Sequence, residues 1–191
     1  MNQSQQLHMT VYASLFAALI AAGAFLIIPI GPVPIVLQNL FVLLAGLLLG
    51  SRWGLASVGI YLLAGAIGLP VFAGGTGGIG RIFGPTGGYL LSYLPAVYIL
   101  GMIAEKGEKK EKRIVFDIIA MVCASIIIYG VGVPWLKLMT GMSWAKAVSA
   151  GMLPFLLGDA LKIAAAIPIA KTLRPVISGK FLSINTANEY S

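Results

Sequence analysis

Six long apolar runs, Met9–Ile28, Val33–Gly50, Gly54–Val71, Gly87–Ala104, Ile114–Val133 and Val148–Ala170, leave few folds open to this chain. A bilayer-spanning helix takes about 20 mostly apolar residues, with roughly 17–25 tolerated, and every run fits. Mean hydropathy is +0.95 and only 10% of residues are charged, where a soluble domain carries about 25%. The breaks have turn chemistry: Pro29, Gly31, Pro32 and Pro34 after the first run, Ser51 and Arg52 after the second, and Pro70 with a glycine cluster after the third. The expected fold is therefore an all-α integral membrane protein, a single membrane domain over residues 1–191 with six transmembrane helices. No room is left for a separate soluble domain. Met1–Thr10 is polar without a basic stretch, and the run that follows exceeds the 7–15 apolar residues of a signal peptide, so the first helix is expected to be retained.

The net charge of +7 does not point to nucleic acid, because the basic residues are sorted by position. With six spans and both termini cytoplasmic, Arg52, Lys106, Lys109, Lys110, Lys112, Arg113, Lys171, Arg174 and Lys180 lie inside, and Arg81, Lys137 and Lys146 outside. Nine against three follows the positive-inside rule. Glu105–Arg113 then reads as a solvated cytoplasmic loop.

Two opposite charges inside the last run break the apolar pattern: Asp159 and Lys162. Three residues apart on a helix, they share a face. A charge at mid-bilayer costs roughly 2.5–3.5 kcal/mol on insertion scales, so such residues face a cavity or a partner. The pair either neutralises itself as a bridge within the bundle or lines a polar pocket; buried bridges contribute little net stability, which favours the pocket. Catalysis lacks parts. His8 is the only histidine and stands at the entrance of the first helix, Cys123 is the only cysteine, and no paired carboxylates occur within the spans. Asp117 lies about one turn into the fifth span, at the cytoplasmic interface. No metal site, disulfide or enzyme activity is expected.

Residues 68–89 are rich in glycine, with proline and aromatics interspersed. Gly75, Gly77 and Gly80 match G-x-G-x-x-G, but the segment follows a membrane span and lacks the strand, helix and acidic residue of a dinucleotide site. No G-x-x-x-x-G-K-[ST] occurs, so ATP is not bound by a Walker motif. An external loop over 72–88 of this composition folds tightly, approaches a ligand closely and caps a cavity. Arg81, its only charge, is either a ligand clamp or a solvated residue. The run from Gly84 leads into the fourth helix, whose N-terminal amides favour an anion. Small residues stack on the first helix at Ala13, Ala17 and Ala21, with Ala18, Ala22 and Gly23 beside them, and on the second at Gly46 and Gly50. Such faces let helices approach closely, within the chain or from another protein.

Three blocks together resemble the BioY family, the biotin-binding S-components of energy-coupling-factor (ECF) transporters. They are Pro32-Val-Pro-Ile-Val-Leu-Gln-Asn39, the Gly68–Leu90 loop with Gly-Gly-x-Gly-Gly and Gly-Pro-Thr-Gly-Gly-Tyr, and Gly158-Asp-Ala-Leu-Lys162. The similarity spans about Thr10 to Leu173. It implies a six-helix S-component bundle in a prokaryotic cell membrane, which captures biotin outside and passes it inward with a membrane coupling (T) subunit and two cytoplasmic ABC ATPases. ATP is then used only by those partners, and no cofactor is expected in this chain. The alternatives are an S-component for another small carboxylate vitamin, or a solitary biotin carrier. In the family the Asp-x-x-Lys, here Asp159 and Lys162, contributes to substrate recognition, and the loop between helices three and four covers the site. The stacked Ala13, Ala17 and Ala21 resemble the S-component's contact with the coupling subunit. Biotin presents a cyclic urea, an apolar bicycle and a carboxylate; Asp159 can accept from urea N–H groups and Lys162 can donate to the urea carbonyl or the carboxylate. Gln38, Asn39, Gly75, Thr76 and Arg81 are further candidate contacts, and Phe83, Tyr89 and Trp135 candidates for the apolar part.

Overall fold

The computed structural model describes residues 3–28, 35–108 and 112–188, with side chains of residues 27, 28, 35 and 178–188 left aside. Its helices are α1 (Gln3–Phe25), α2 (Gln38–Ala66), α3 (Ile79–Ile82), α4 (Gly87–Gly107), α5 (Arg113–Thr140), α6 (Trp144–Gly151) and α7 (Leu153–Asn188). Two short strands, β1 (Ile27–Ile28) and β2 (Ile35–Val36), pair antiparallel and connect α1 to α2, with Ile27 opposite Val36. The expected turn residues Pro29, Gly31, Pro32 and Pro34, and the loop residues Lys109 and Lys110, lie outside the described residues.

α2 is not a straight rod. Gly50 has φ 77° and ψ −172°, outside the helical region. Gln38 Nε2 donates to the Tyr61 hydroxyl at 2.9 Å, although 23 residues of continuous helix would separate them by about 34 Å. A Cβ on Gly54 would lie 3.1 Å from Gly46 Cα. The helix is thus a hairpin whose arms, 38–49 and 51–66, touch at these two glycines. The bend is capped: the Glu105 carboxylate accepts from Ser51 N at 2.6 Å and from Ser51 Oγ at 3.0 Å, which neutralises the positive end of arm 51–66.

Five helical segments are long and apolar enough to cross a membrane, and because α2 folds back the chain makes six passes, as expected. Several boundaries differ from the sequence reading. The third pass stops at Ala66, so Pro70 and Val71 belong to the loop; the fifth runs on through Pro134 to Thr140. Proline interrupts only one ladder bond, and Gly141 in the left-handed region (φ 69°) ends the helix. The expected span Val148–Ala170 crosses a break: α6 ends at Gly151 and α7 starts at Leu153, because Met152 leaves the helical conformation.

α2 and α4 occupy the centre, flanked by α1, α5 and α7. Ile20, Val42, Val58, Tyr61, Val97, Leu100 and Met121 are fully buried. Ile114, Val115, Ile118, Ile119, Val122 and Ile126 of α5 face outward, an apolar face suited to lipid. Near the Gly50 bend, Asp117 is 3% exposed and takes a two-pronged contact from Arg174, at 2.6 and 2.7 Å. Arg174 also donates to the Leu47 carbonyl at 3.2 Å. Asp117, one turn into α5, is therefore a buried anchor joining α5, α7 and the hairpin.

Candidate functional site

Opposite the Gly50 bend, the start of α2, the 67–86 loop, α4, α5 and the α6–α7 corner enclose a cavity of about 450 Å³. Its closed end is polar. On α7, Lys162 Nζ donates to Asp159 Oδ1 at 3.2 Å, with the two residues 5% and 7% exposed. The Tyr129 hydroxyl of α5 donates to the other carboxylate oxygen, Oδ2. Across the cavity the Tyr93 hydroxyl of α4 donates to Asn39 Oδ1. Hydroxyls inside an apolar bundle need such partners, since none comes from lipid.

The middle of the cavity is apolar, formed by Phe72, Leu90, Ile128, Leu136 and Phe155. Phe72 is held where it is by contact with Gly65, whose missing side chain makes room for the ring, and by an edge-on contact with Tyr61 at 5.5 Å. Tyr89 stands between Gly132 and Gly151, both of which would collide with it if they carried a Cβ. Its hydroxyl donates to the Gly151 carbonyl at 2.8 Å, tying α4 to the α6–α7 corner.

The mouth is covered by an ordered loop. Phe72 and Thr76 form a bridge, and Gly78 N donates to the Gly65 carbonyl at 2.7 Å. Gly74, Gly75 and Gly78 have positive φ, a conformation available to glycine at little cost. Arg81 is exposed at the rim; its Nε donates to Thr76 Oγ1 at 2.8 Å and its Nη2 to the Ala73 carbonyl at 3.4 Å. The Trp135 indole donates to the Gly84 carbonyl at 2.9 Å, fastening the loop to α5.

Of the candidates named from sequence, Gln38, Asn39, Arg81, Tyr89 and Lys162 line this cavity. Asp159 stands one layer behind Lys162 and borders a second, more open groove of about 560 Å³ between α5 and the α6–α7 segment, with Tyr129 common to both spaces. Thr76 positions Arg81, Gly75 lies beside the Phe25 ring, and Trp135 holds the loop. Phe83 is 62% exposed and is not on the cavity wall: it follows the single turn of α3 and points away. Phe72, Tyr93, Tyr129 and Phe155 were not anticipated. A tyrosine in mid-span was a signal for two of them, because its hydroxyl must find a partner. Among the described residues no three His, Cys, Asp or Glu side chains converge as for a metal.

The small-residue face of α1 is rotated from the expected register. Ala13 and Ala17 are 1% and 5% exposed, packed within the chain, and Ala21 is half-buried. Ser14, Ala18 and Ala22 face outward, flanked by Val11 and Leu15.

A family model described as the BioY family matches residues 1–179. The chain is 42% identical over 161 residues to the probable biotin transporter BioY of Pyrococcus horikoshii, covering 84% of this chain and 93% of that protein. It is 40% identical over 164 residues to the biotin transporter BioY of Thermotoga maritima, covering 86% and 94%. Among solved structures it is similar to the S-component for biotin from an ECF-type ABC transporter, with a TM-score of 0.79, 31% identity and coverage of 91% and 94%. Similarity that runs the length of both partners in sequence, and extends to the whole helical framework, shows that the chain belongs to the BioY family.

Proposed function

We propose that this chain is the biotin-binding subunit of an ECF-type transporter, capturing biotin outside the cell and delivering it inward without catalysis of its own. The observation that carries the reading is a cavity with two unlike ends: Lys162, Tyr129, Asn39 and Tyr93 at the closed end, with Asp159 behind Lys162, and the Arg81 guanidinium at the mouth. Its volume of about 450 Å³ falls in the range of small-ligand sites, roughly 300–1,000 Å³. The urea ring fits the closed end, where Lys162 donates to its carbonyl and the Asn39 amide oxygen accepts from an N–H group. The bicycle meets Phe72, Leu90 and Phe155. The valerate carboxylate reaches Arg81, which has N–H donors left after its two bonds to the loop.

The mouth faces outside in this reading, and the Gly50 bend, both ends of the chain and most basic residues face the cytoplasm. Its support is the charge distribution: Arg52, Lys106, Lys112, Arg113, Lys171 and Arg174 cluster toward the bend, with Arg81, Lys137 and Lys146 toward the mouth. Since the chain has no Walker motif, energy comes from partners, a membrane coupling subunit and two ABC ATPases. The outward Ser14, Ala18 and Ala22, all small, offer the coupling subunit a close approach.

Calorimetric titration of the detergent-purified chain tests the function. Biotin is expected to bind saturably at one site per chain, with no heat from pantothenate or nicotinate. Binding of either of those in place of biotin would refute it.

A further inference from the structure

Tyr129 stands at the polar closed end of the cavity, yet nothing in its sequence neighbourhood ties it to Asp159. Its side chain lines the ligand cavity on one side and the α5–α7 groove on the other. That groove is walled by Val122, Ile126 and Leu156, all exposed on the outer surface of the bundle, so it opens toward lipid. Asp159 borders the groove while Lys162 borders the cavity.

A carboxylate held at one oxygen by Lys162 remains free to turn about its last bond. A second donor on the other oxygen fixes its plane, and with it the ammonium group that Asp159 holds. The Tyr129 hydroxyl is that second donor. Lys162, the member of the pair on the cavity wall, keeps N–H donors for a ligand beyond the one it gives to Asp159. The Tyr129 ring stands between the two spaces at this level; removing it would join the cavity to the lipid-facing groove and leave the ligand without a wall on that side.

We propose that Tyr129 is a positioning residue of the biotin site, its hydroxyl fixing the Asp159 carboxylate and its ring sealing the cavity from the lipid side. The proposal rests on the biotin reading above. The test measures biotin affinity in detergent for the wild-type chain, Tyr129→Phe, Tyr129→Ala, Asp159→Ala and the Tyr129→Phe/Asp159→Ala double variant, together with ligand-free melting temperatures. Tyr129→Phe should bind about tenfold to a hundredfold more weakly, the loss expected for one hydrogen bond to a charged group. It should melt, ligand-free, close to wild type. Tyr129→Ala should bind more weakly still, because the wall is gone as well. In the Asp159→Ala background, Tyr129→Phe should change affinity by less than about threefold, since a hydroxyl acting through Asp159 has nothing left to hold.

Wild-type affinity in Tyr129→Phe overturns the proposal and leaves the biotin reading standing. So do equal losses with and without Asp159, or a large drop in ligand-free melting temperature, which marks a purely structural residue. Equal affinities of Tyr129→Phe and Tyr129→Ala overturn the sealing role. Absence of biotin binding by the wild-type chain overturns both this proposal and the function it rests on.

Discussion

Asp159 and Lys162 are 7% and 5% exposed and 3.2 Å apart. Each is held by the other, so neutralising one strands its partner in an apolar bundle. Lys162→Met and Asp159→Asn are each expected to weaken biotin binding by about 2–5 kcal/mol, much of it the penalty of the charge left unpaired. The variants should still insert and purify as monodisperse protein, because Arg174–Asp117 and the Glu105 cap anchor the helices at the far end. Equilibrium binding with labelled biotin is the measurement, and wild-type affinity in both variants would make the pair structural. This pair was legible in the sequence because its partners are three residues apart on one helix. The Asn39–Tyr93 and Tyr129–Asp159 contacts join residues 54 and 30 positions apart, and no spacing rule reaches that far.

On α1, one residue of register decides which small side chains meet the outside. Each step along a helix turns the side chain by about 100°, so Ala17 points into the bundle and Ala18 out of it. Ala18→Trp is expected to leave biotin binding in detergent unchanged and to abolish uptake in cells that also express the coupling subunit and ATPases, since a bulky ring holds a docking helix away. Ala17→Trp has no space, with 5% exposure, and should damage the bundle, lowering melting temperature and binding together. Uptake unaffected by Ala18→Trp would remove this face from the coupling surface. The hairpin at Gly50 was visible only as a break between two runs. Its tightness depends on Gly46 meeting Gly54 and on Glu105, 54 residues from the Ser51 amide it caps.

At the scale of the whole molecule, the six passes set the Gly50 bend and the loop-covered mouth at opposite ends, and the basic residues follow that division. Single cysteines at Glu108→Cys and Ile79→Cys, in a Cys123→Ala background, probe the two ends at exposed positions; Ile79 is 62% exposed. In intact cells a membrane-impermeant maleimide should label Ile79→Cys alone, with Glu108→Cys labelled only after permeabilisation. The reverse pattern would invert the orientation and place the mouth inside.

Span number, the uneven spread of basic residues and the Asp-x-x-Lys pair were determined by the sequence itself, because transfer into a bilayer and the retention of basic residues depend on local composition. Helix faces and long-range contacts were decided by the tertiary structure. In a helix that is apolar all round, lipid and core are equally good solvents for its side chains, so composition carries no sign of which side turns inward. The burial of Ala17 rather than Ala18, the exposure of Phe83, and the meeting of Tyr129 with Asp159 are settled only when the glycines and tyrosines of neighbouring helices are packed together.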